Sequence, residues 1–494
     1  MTWQLPASGI LILLGLRSAS WWAMCWQLRE YRTDRILAWF RTHDGRKNLW
    51  NFWFFRGIFP RPKISARTIL IAGIFGILSI TFFVLVQNFV SIFWTTLIWN
   101  FTLWIFIFFT VKISAIPVFF KKRKLFFAAE KIVEKSPVVR IGITGSFGKS
   151  STKTILAHLL REKFGAENVL TNPGNENNEI AIARLVLKNK KFFSPPFLKG
   201  ERGGFQKFFV CEIGAYKKGE IQKVCEFLKP QLAILTGLNA QHVELFGSAE
   251  KIRAAKFELA EAATEKVFFN ADTPALVEIF EDKKIAAAPI GLARSVLKNV
   301  QAETDRTNFE VFGEKFELPW TGEFFAGNAL LALETARELG CNPSELSKFL
   351  KKIPPLKRAL HARKLESGAT ILLDPYSANP DGVRGAIAHL AKFSGRKIFV
   401  GIPLRELGKN AEKEHEKIFE NLKKIGAEVW WLKSDFAKLG KEILEKNFHT
   451  DQKLLPKNLK KNDAVLLESR LPREIEKKIT SCSSRKKAVE NPLI

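Results

Sequence analysis

Cysteine is scarce in this 494-residue chain and poorly placed for bonding. The five cysteines, Cys25, Cys211, Cys225, Cys341 and Cys482, form no Cys-x-x-Cys pair. That excludes a disulfide framework and a cysteine metal site, and leaves reduced cytoplasmic thiols. Acid is also in deficit: 49 Asp and Glu face 77 Lys and Arg, a net charge of +28. No nucleic-acid-binding motif accompanies the excess base. The charge therefore fits a basic face near anionic lipid, with no nucleic acid as partner. Charge is missing altogether between Arg67 and Lys112, over residues 68–111. Such a run is too long for one membrane crossing, which takes about 20 residues. With 47% hydrophobic residues, the chain has apolar material for two to four domains.

Gln87 and Asn88, near the middle of the uncharged run, mark a turn. The run reads as two membrane helices, 68–86 and 90–111. A third candidate covers 5–28, interrupted by Arg17. It has neither a basic n-region nor a clear small-residue cleavage site, which argues against a cleaved signal. The loop from Arg29 to Arg67 carries ten basic residues against three acids, and Lys121, Lys122, Arg123 and Lys124 follow the last helix. Basic residues mark the inner side. The expectation is a multi-pass protein of the cytoplasmic (inner) membrane, with the N-terminus outside and everything after residue 120 inside. Trp50 and the aromatic run 52–55 lie along the interface or pack against the spans. Residues 121–136 read as a basic linker.

The rest reads as α/β. Residues 138–144 form a short β-branched run, expected to be a buried strand. Further strands are expected at 208–213, 232–236, 267–270, 370–373, 397–401, 428–432 and 463–468, with helical stretches between most of them. Strands alternating with helices predict mainly parallel sheets. Residues 188–207 lack an apolar period and hold Pro195, Pro196, Gly200, Gly203 and Gly204, so they read as an exposed, disordered insertion. Pro354-Pro355 marks a boundary between a central domain, 137–354, and a C-terminal domain, 355–472. A basic tail, 473–494, follows.

Thr144-Gly145-Ser146-Phe147-Gly148-Lys149-Ser150-Ser151 stands between a predicted strand and a predicted helix, the setting of a phosphate loop. Glycines let backbone N–H groups approach phosphate oxygens, and the helix N-terminus adds positive potential. Lys149 is placed to reach the β- and γ-phosphates and Ser150 to hold Mg²⁺. The generic motif wants glycine where Ile143 stands.

This variant loop resembles that of the Mur ligases, and the resemblance recurs in order through about residue 420. Residues 171–180, with Asn177 and Asn178, resemble that family's Asn-rich loop for substrate and metal. Glu212 with Gly214, then Gly219-Glu220-Ile221, resembles its acidic metal strand. His242 through Ser248 and then Ala255-Lys256-Phe257-Glu258 resembles its His and modified-Lys segment. Asn328-Ala329-Leu330 resembles its Asn-Ala-Leu helix. Arg358, Asp374-Pro375-Tyr376-Ser377-Ala378-Asn379-Pro380, and Glu406-Leu407-Gly408 with His415 resemble its C-terminal domain.

The resemblance implies a P-loop-type central domain and a smaller Rossmann-like C-terminal domain. It also implies an ATP-dependent ligase that makes an acyl phosphate and then an amide. Tyr-x-Ala-Asn-Pro and Glu-Leu-Gly point to the branch that adds D-alanyl-D-alanine, or a similar amine, to a peptidoglycan precursor. Lys149, His242, Lys256 and Arg358 are then catalytic. Thr144, Gly145, Ser146, Gly148, Lys149, Ser150, Ser151, Asn328, Arg358 and Asp374 bind ATP. Ser150, Glu212, His242 and a carbamylated Lys256 hold two Mg²⁺ ions. Asn177, Asn178 and Asn379 meet substrate.

Each residue also has a plain structural alternative: strand-end acid for Glu212, structural histidine for His242, surface lysine for Lys256, turn residue for Asp374. The chain departs from the family as well. The membrane region stands where the family has its uridine-nucleotide domain. Phe324-Phe325 replaces a His-Asn pair, which weakens the nucleotide-base contact. These departures make a lipid-linked or other amino-acid-polymer substrate, or a catalytically silent membrane scaffold for other cell-wall enzymes, the competing readings.

Overall fold

A computed structural model describes residues 4–41, 45–46, 48–49, 62–174, 176–195, 206–239, 243–303, 305–354, 360–374, 379–404, 407, 410–452, 455–456, 458–469, 471, 474–475 and 478–479. The chain divides into two compact units, residues 1–127 and 128–494.

The first unit is helical: α1 (Gln4–Leu28), α2 (Thr33–Arg41), α3 (Ala66–Val86) and the start of α4 (Ile92–Glu134). Three of these, α1, α3 and α4, are long and apolar enough to cross a membrane. Apolar side chains cover much of the outside; Ile77 and Ile80 are about two-thirds exposed. Polar groups face inward and find partners. Trp99 Nε1 donates to Ser79 Oγ at 3.2 Å, and Asn100 Nδ2 to Leu11 O at 3.0 Å. Gly15 is needed because a Cβ there would collide with the Trp99 ring. Gln27 clamps the Lys63 backbone, donating to its carbonyl and accepting from its N–H. Ser65 and Thr68 close a capping box at the start of α3. Residues 121–134, within the segment read as a basic linker, continue α4 as helix. Ala129 and Val133 are buried, so an apolar period runs beneath the basic residues. Trp50 and residues 52–55 lie outside the described residues.

The second unit is built on two six-stranded sheets. The central one has the order β2-β3-β1-β4-β5-β6, all parallel. Its strands are β1 (Val139–Thr144), β2 (Val169–Thr171), β3 (Phe208–Glu212), β4 (Leu232–Leu235), β5 (Lys266–Asn270) and β6 (Ala288–Leu292). Its three middle strands, β3, β1 and β4, are buried along nearly their whole length, hence their uninterrupted apolar runs. An antiparallel meander follows: β7 (Lys298–Ala302), β8 (Thr307–Val311) and β9 (Glu314–Leu318). The second six-stranded sheet has the order β10-β11-β15-β12-β13-β14 and is parallel except for β10. Its strands are β10 (His361–Lys364), β11 (Thr370–Asp374), β12 (Lys397–Gly401), β13 (Glu428–Trp431), β14 (Phe448–His449) and β15 (Ala464–Glu468).

The helices that matter for the site are α5 (Lys149–Phe164), α6 (Glu179–Lys188), α7 (Glu220–Leu228), α8 (Ala249–Ala262), α9 (Phe324–Glu338) and α10 (Pro380–Leu390). One apolar core runs from Ile141 and Leu156 through Leu330 to Leu372 and Phe399, joining both large sheets. The insertion read as beginning at residue 188 is ordered at first. Lys190–Phe193 is a helical turn, and Phe193 is buried edge-on against Phe209, 5.4 Å between ring centres. Residues 196–205 lie outside the described residues.

Candidate functional site

The turn from β1 into α5 fixes the phosphate loop. Gly145 (φ +152°) and Gly148 (φ +77°) take backbone conformations that L side chains rarely adopt. Space enforces the same choice: a Cβ at Gly145 would meet Thr236 Oγ1, and one at Gly148 would meet Asn328 Oδ1. Ser146 N–H donates to Gly237 O at 2.8 Å, Thr236 Oγ1 donates to Phe147 O, and Thr144 Oγ1 donates to Ile213 O at 2.9 Å. The loop is thus tied to the ends of β3 and β4. Lys149, the first residue of α5, donates to Gly145 O at 2.7 Å. Burial pushes its pKa down, and nearby Glu212 partly restores it. Ser151 lies beside it in the first turn of α5.

Glu212, the last residue of β3, is the hub. Its Oε2 accepts from Ser150 Oγ at 2.8 Å and lies 3.2 Å from Lys153 Nζ; its Oε1 accepts from Asn177 Nδ2 at 3.0 Å. Its backbone is held as tightly, because Asn172 donates Nδ2 to Glu212 O and accepts Glu212 N–H, both at 2.9 Å. Burial raises the pKa of this carboxyl. The Lys153 and Lys149 ammonium groups and the Ser150 and Asn177 hydrogen bonds outweigh that and hold it below the usual carboxylate value. Ser150 Oγ and Glu212 Oε2 make a pair of hard oxygen donors of the kind Mg²⁺ prefers. Among the described residues no group of three His, Cys, Asp or Glu gathers into a metal cluster.

Lys256 comes to the same pocket from α8. It is 3% exposed, with Nζ 3.5 Å from Ala215 O. Burial, reinforced by the positive charge of Lys149, pulls its pKa down to about 7 against the opposing pull of Glu220, Glu258 and Glu212. The same helix supplies Glu258, which accepts from Gly219 N–H at 2.6 Å and Gln222 N–H at 3.0 Å, pinning the loop before α7.

The structure therefore brings Lys149, Ser150, Asn177, Glu212 and Lys256 together. Asn178 is spent otherwise: its Oδ1 caps α6, accepting from Ile180 and Ala181 N–H. Asn379 likewise caps α10, accepting from Gly382 N–H at 2.9 Å and from Asn239 Nδ2 at 3.3 Å. Asn328 lies under the loop at Gly148. Asp374 ends β11, in register with Glu468 of β15. His415 is structural, accepting from Leu404 N–H, bonding Ala411 O and stacking on Phe436. Phe325 is buried in the core, and Phe324 packs where a Cβ on Gly385 would strike it. Phe324 therefore packs α9 against α10. His242, Arg358 and Glu406 lie outside the described residues. Lys153 escaped the sequence reading, and Asn172 and Glu258 fell within its motifs without a role. Lys153, one helical turn after Lys149, had that spacing as its only signal.

The description of the Mur ligase middle domain fits residues 143–336. UDP-N-acetylmuramoyl-tripeptide–D-alanyl-D-alanine ligase of Mycobacterium bovis is 29% identical over 297 residues, covering 56% of this chain and 55% of the relative. The chain thus spans about half the length of the first curated relatives it matches. MurF of Acinetobacter baumannii superposes with a TM-score of 0.61 at 20% identity, over 73% of this chain and 80% of that one. MurF ligase of Thermotoga maritima, solved in complex with ADP, gives 0.59 at 23% identity, over 72% and 84%. Residues 143–336 thus match the Mur ligase middle domain, and nearly three-quarters of the chain shares its fold with the two MurF structures.

Proposed function

We propose that the chain is an ATP-dependent amide-bond ligase. It would activate a substrate carboxylate as an acyl phosphate and pass it to an amine, releasing phosphate. The single observation that carries this reading is the Ser150–Glu212 pair, 2.8 Å apart, beside the Lys149 loop. In this reading residues 144–151 cradle the phosphates and Lys149 neutralises charge on the transferred group. Ser150 and Glu212 would hold Mg²⁺, with His242 and a carbamylated Lys256 at a second position, and the metal would supply charge neutralisation. Asn328 and Asp374 would meet the nucleotide, and Arg358 its γ-phosphate. The Asn177 side chain orients Glu212, and the caps formed by Asn178 and Asn379 shape the substrate-facing loops. The central domain would cover 137–354 and the C-terminal domain 355–472.

The substrates proposed are a peptidoglycan precursor peptide and D-alanyl-D-alanine or a similar amine, by likeness to the named relatives. A lipid-linked acceptor is the second reading, favoured by the three apolar helices. Arg29 lies over the Trp39 ring (3.9 Å) and Arg67 over the Tyr31 ring (4.2 Å), neither in an ion pair among the described residues. Guanidinium groups so placed suit anionic headgroups at the inner face of the cytoplasmic membrane. The test is phosphate release by the full chain with UDP-linked or lipid-linked muramoyl peptide, with and without the dipeptide. Release requiring both acceptor and amine supports a ligase and identifies the acceptor. No nucleotide-dependent release with any pair would leave a scaffold. Protease applied to intact spheroplasts should spare residues after 120; ready cleavage there would refute the topology.

A further inference from the structure

The oxygen of Glu212 that faces Ser150 already carries a fixed positive neighbour. Lys153 Nζ sits 3.2 Å from Glu212 Oε2 and donates to Asn172 O at 2.9 Å. Its side chain is 8% exposed, against 3% for Glu212. The ammonium is thus held between a carbonyl and a carboxylate. Lys149 adds a second ammonium near the same carboxylate, and Glu258 and Glu220 commit carboxylate oxygens to the backbone N–H groups of Gly219, Gln222 and Tyr216. A divalent cation entering at Ser150 and Glu212 would meet one shared carboxylate and an ammonium on the same oxygen. Like charges so close, partly shielded from water, repel strongly. Nucleotide phosphates bring the negative charge that reverses this balance.

We propose that Lys153 is a positioning residue that serves as the resident counter-ion of Glu212 and makes divalent-cation binding there conditional on bound nucleotide. The inference rests on the nucleotide-binding reading above. Lys153 holds the carboxylate rotamer through Asn172 and sets the order of loading, with nucleotide before or together with the metal.

The experiment measures Mg²⁺ binding by calorimetry and thermal shift on the full chain in detergent, with and without ADP, so it needs no turnover. Wild type should show no response to millimolar Mg²⁺ alone, and ADP should raise Mg²⁺ affinity by about tenfold or more. Lys153→Met should bind Mg²⁺ without nucleotide, and adding Glu212→Gln should abolish that gain. Lys153→Arg, which keeps the charge, should behave as wild type. Wild type binding Mg²⁺ equally well with and without ADP would overturn the proposal, as would equal affinities in Lys153→Met and wild type. Lys153→Gln, which also removes the charge, should bind Mg²⁺ without nucleotide and decides the matter if Lys153→Met fails to fold. ADP that binds under no condition would overturn the nucleotide reading itself, and this inference with it.

Discussion

The central and C-terminal sheets each bury a carboxylate where a parallel strand ends, Glu212 on β3 and Glu468 on β15. Their surroundings are opposite. Glu212 has three side-chain partners and a backbone clamp. Among the described residues neither oxygen of Glu468 has a hydrogen-bond partner, and its register neighbour is another acid, Asp374. Burial and then the Asp374 charge push Glu468 well above the ordinary carboxyl pKa, whereas Glu212 is held below it. A carboxylate kept ionised by fixed cations can exchange a partner for a ligand. A carboxyl stranded in a core only lowers stability. Position at a strand end is therefore not enough to mark a site; the partners decide.

The harshest way to break the contrast is at the central sheet. Lys149→Ala should cut nucleotide turnover by about 100-fold or more while the fold survives; near-normal turnover in a folded variant would remove the loop from the chemistry. Lys256→Ala should be nearly inactive and should recover in acetate or formate, which can occupy the space of a carbamate, while wild type gains nothing. Full activity without added anion would reduce Lys256 to packing. Smaller effects belong to the C-terminal sheet. Glu468→Gln removes the ionisation cost and should raise the melting temperature at pH 8 by a few degrees without changing nucleotide affinity. The sign follows from the raised folded pKa: Glu468 favours the fold at low pH and loses that contribution as pH rises through the folded value. The variant should flatten that slope; an unchanged slope would mean that Glu468 is solvated.

The smallest effect expected is at His389. Both of its ring nitrogens are buried, without a partner among the described residues. Burial, with help from Lys392, pulls its pKa from 6.5 to about 4. The neutral ring is tolerated above pH 6.5, and stability is lost as pH falls towards 4, because the unfolded chain takes up the proton first. His389→Leu should shrink the drop in melting temperature between neutral pH and pH 5. An equal drop in both proteins would assign the acid sensitivity elsewhere.

What could be read in advance follows the same division. The buried parallel strands β1, β3, β4, β5, β11, β12, β13 and β15 are uniform apolar runs, and such runs announce themselves. The edge strand β6, with Pro289 and Gly291, and the mostly exposed β7 have no such pattern. Lys149, Ser150, Asn177, Glu212 and Lys256 were legible through motif order. Lys153 was not, because in a chain with 77 Lys and Arg a buried lysine looks like any other. Asn172 hid for a different reason: its work is a backbone clamp across forty residues, which no local spacing encodes.

The packing of Phe193 on Phe209 gives an engineer a port into the molecule. Both aromatic rings are buried within one segment's reach of each other, so the chain on either side of 196–205 is anchored by its own core contacts. An affinity tag or a fluorophore introduced after residue 195 and before residue 206 should therefore leave in place the packing beside the strand that carries Glu212.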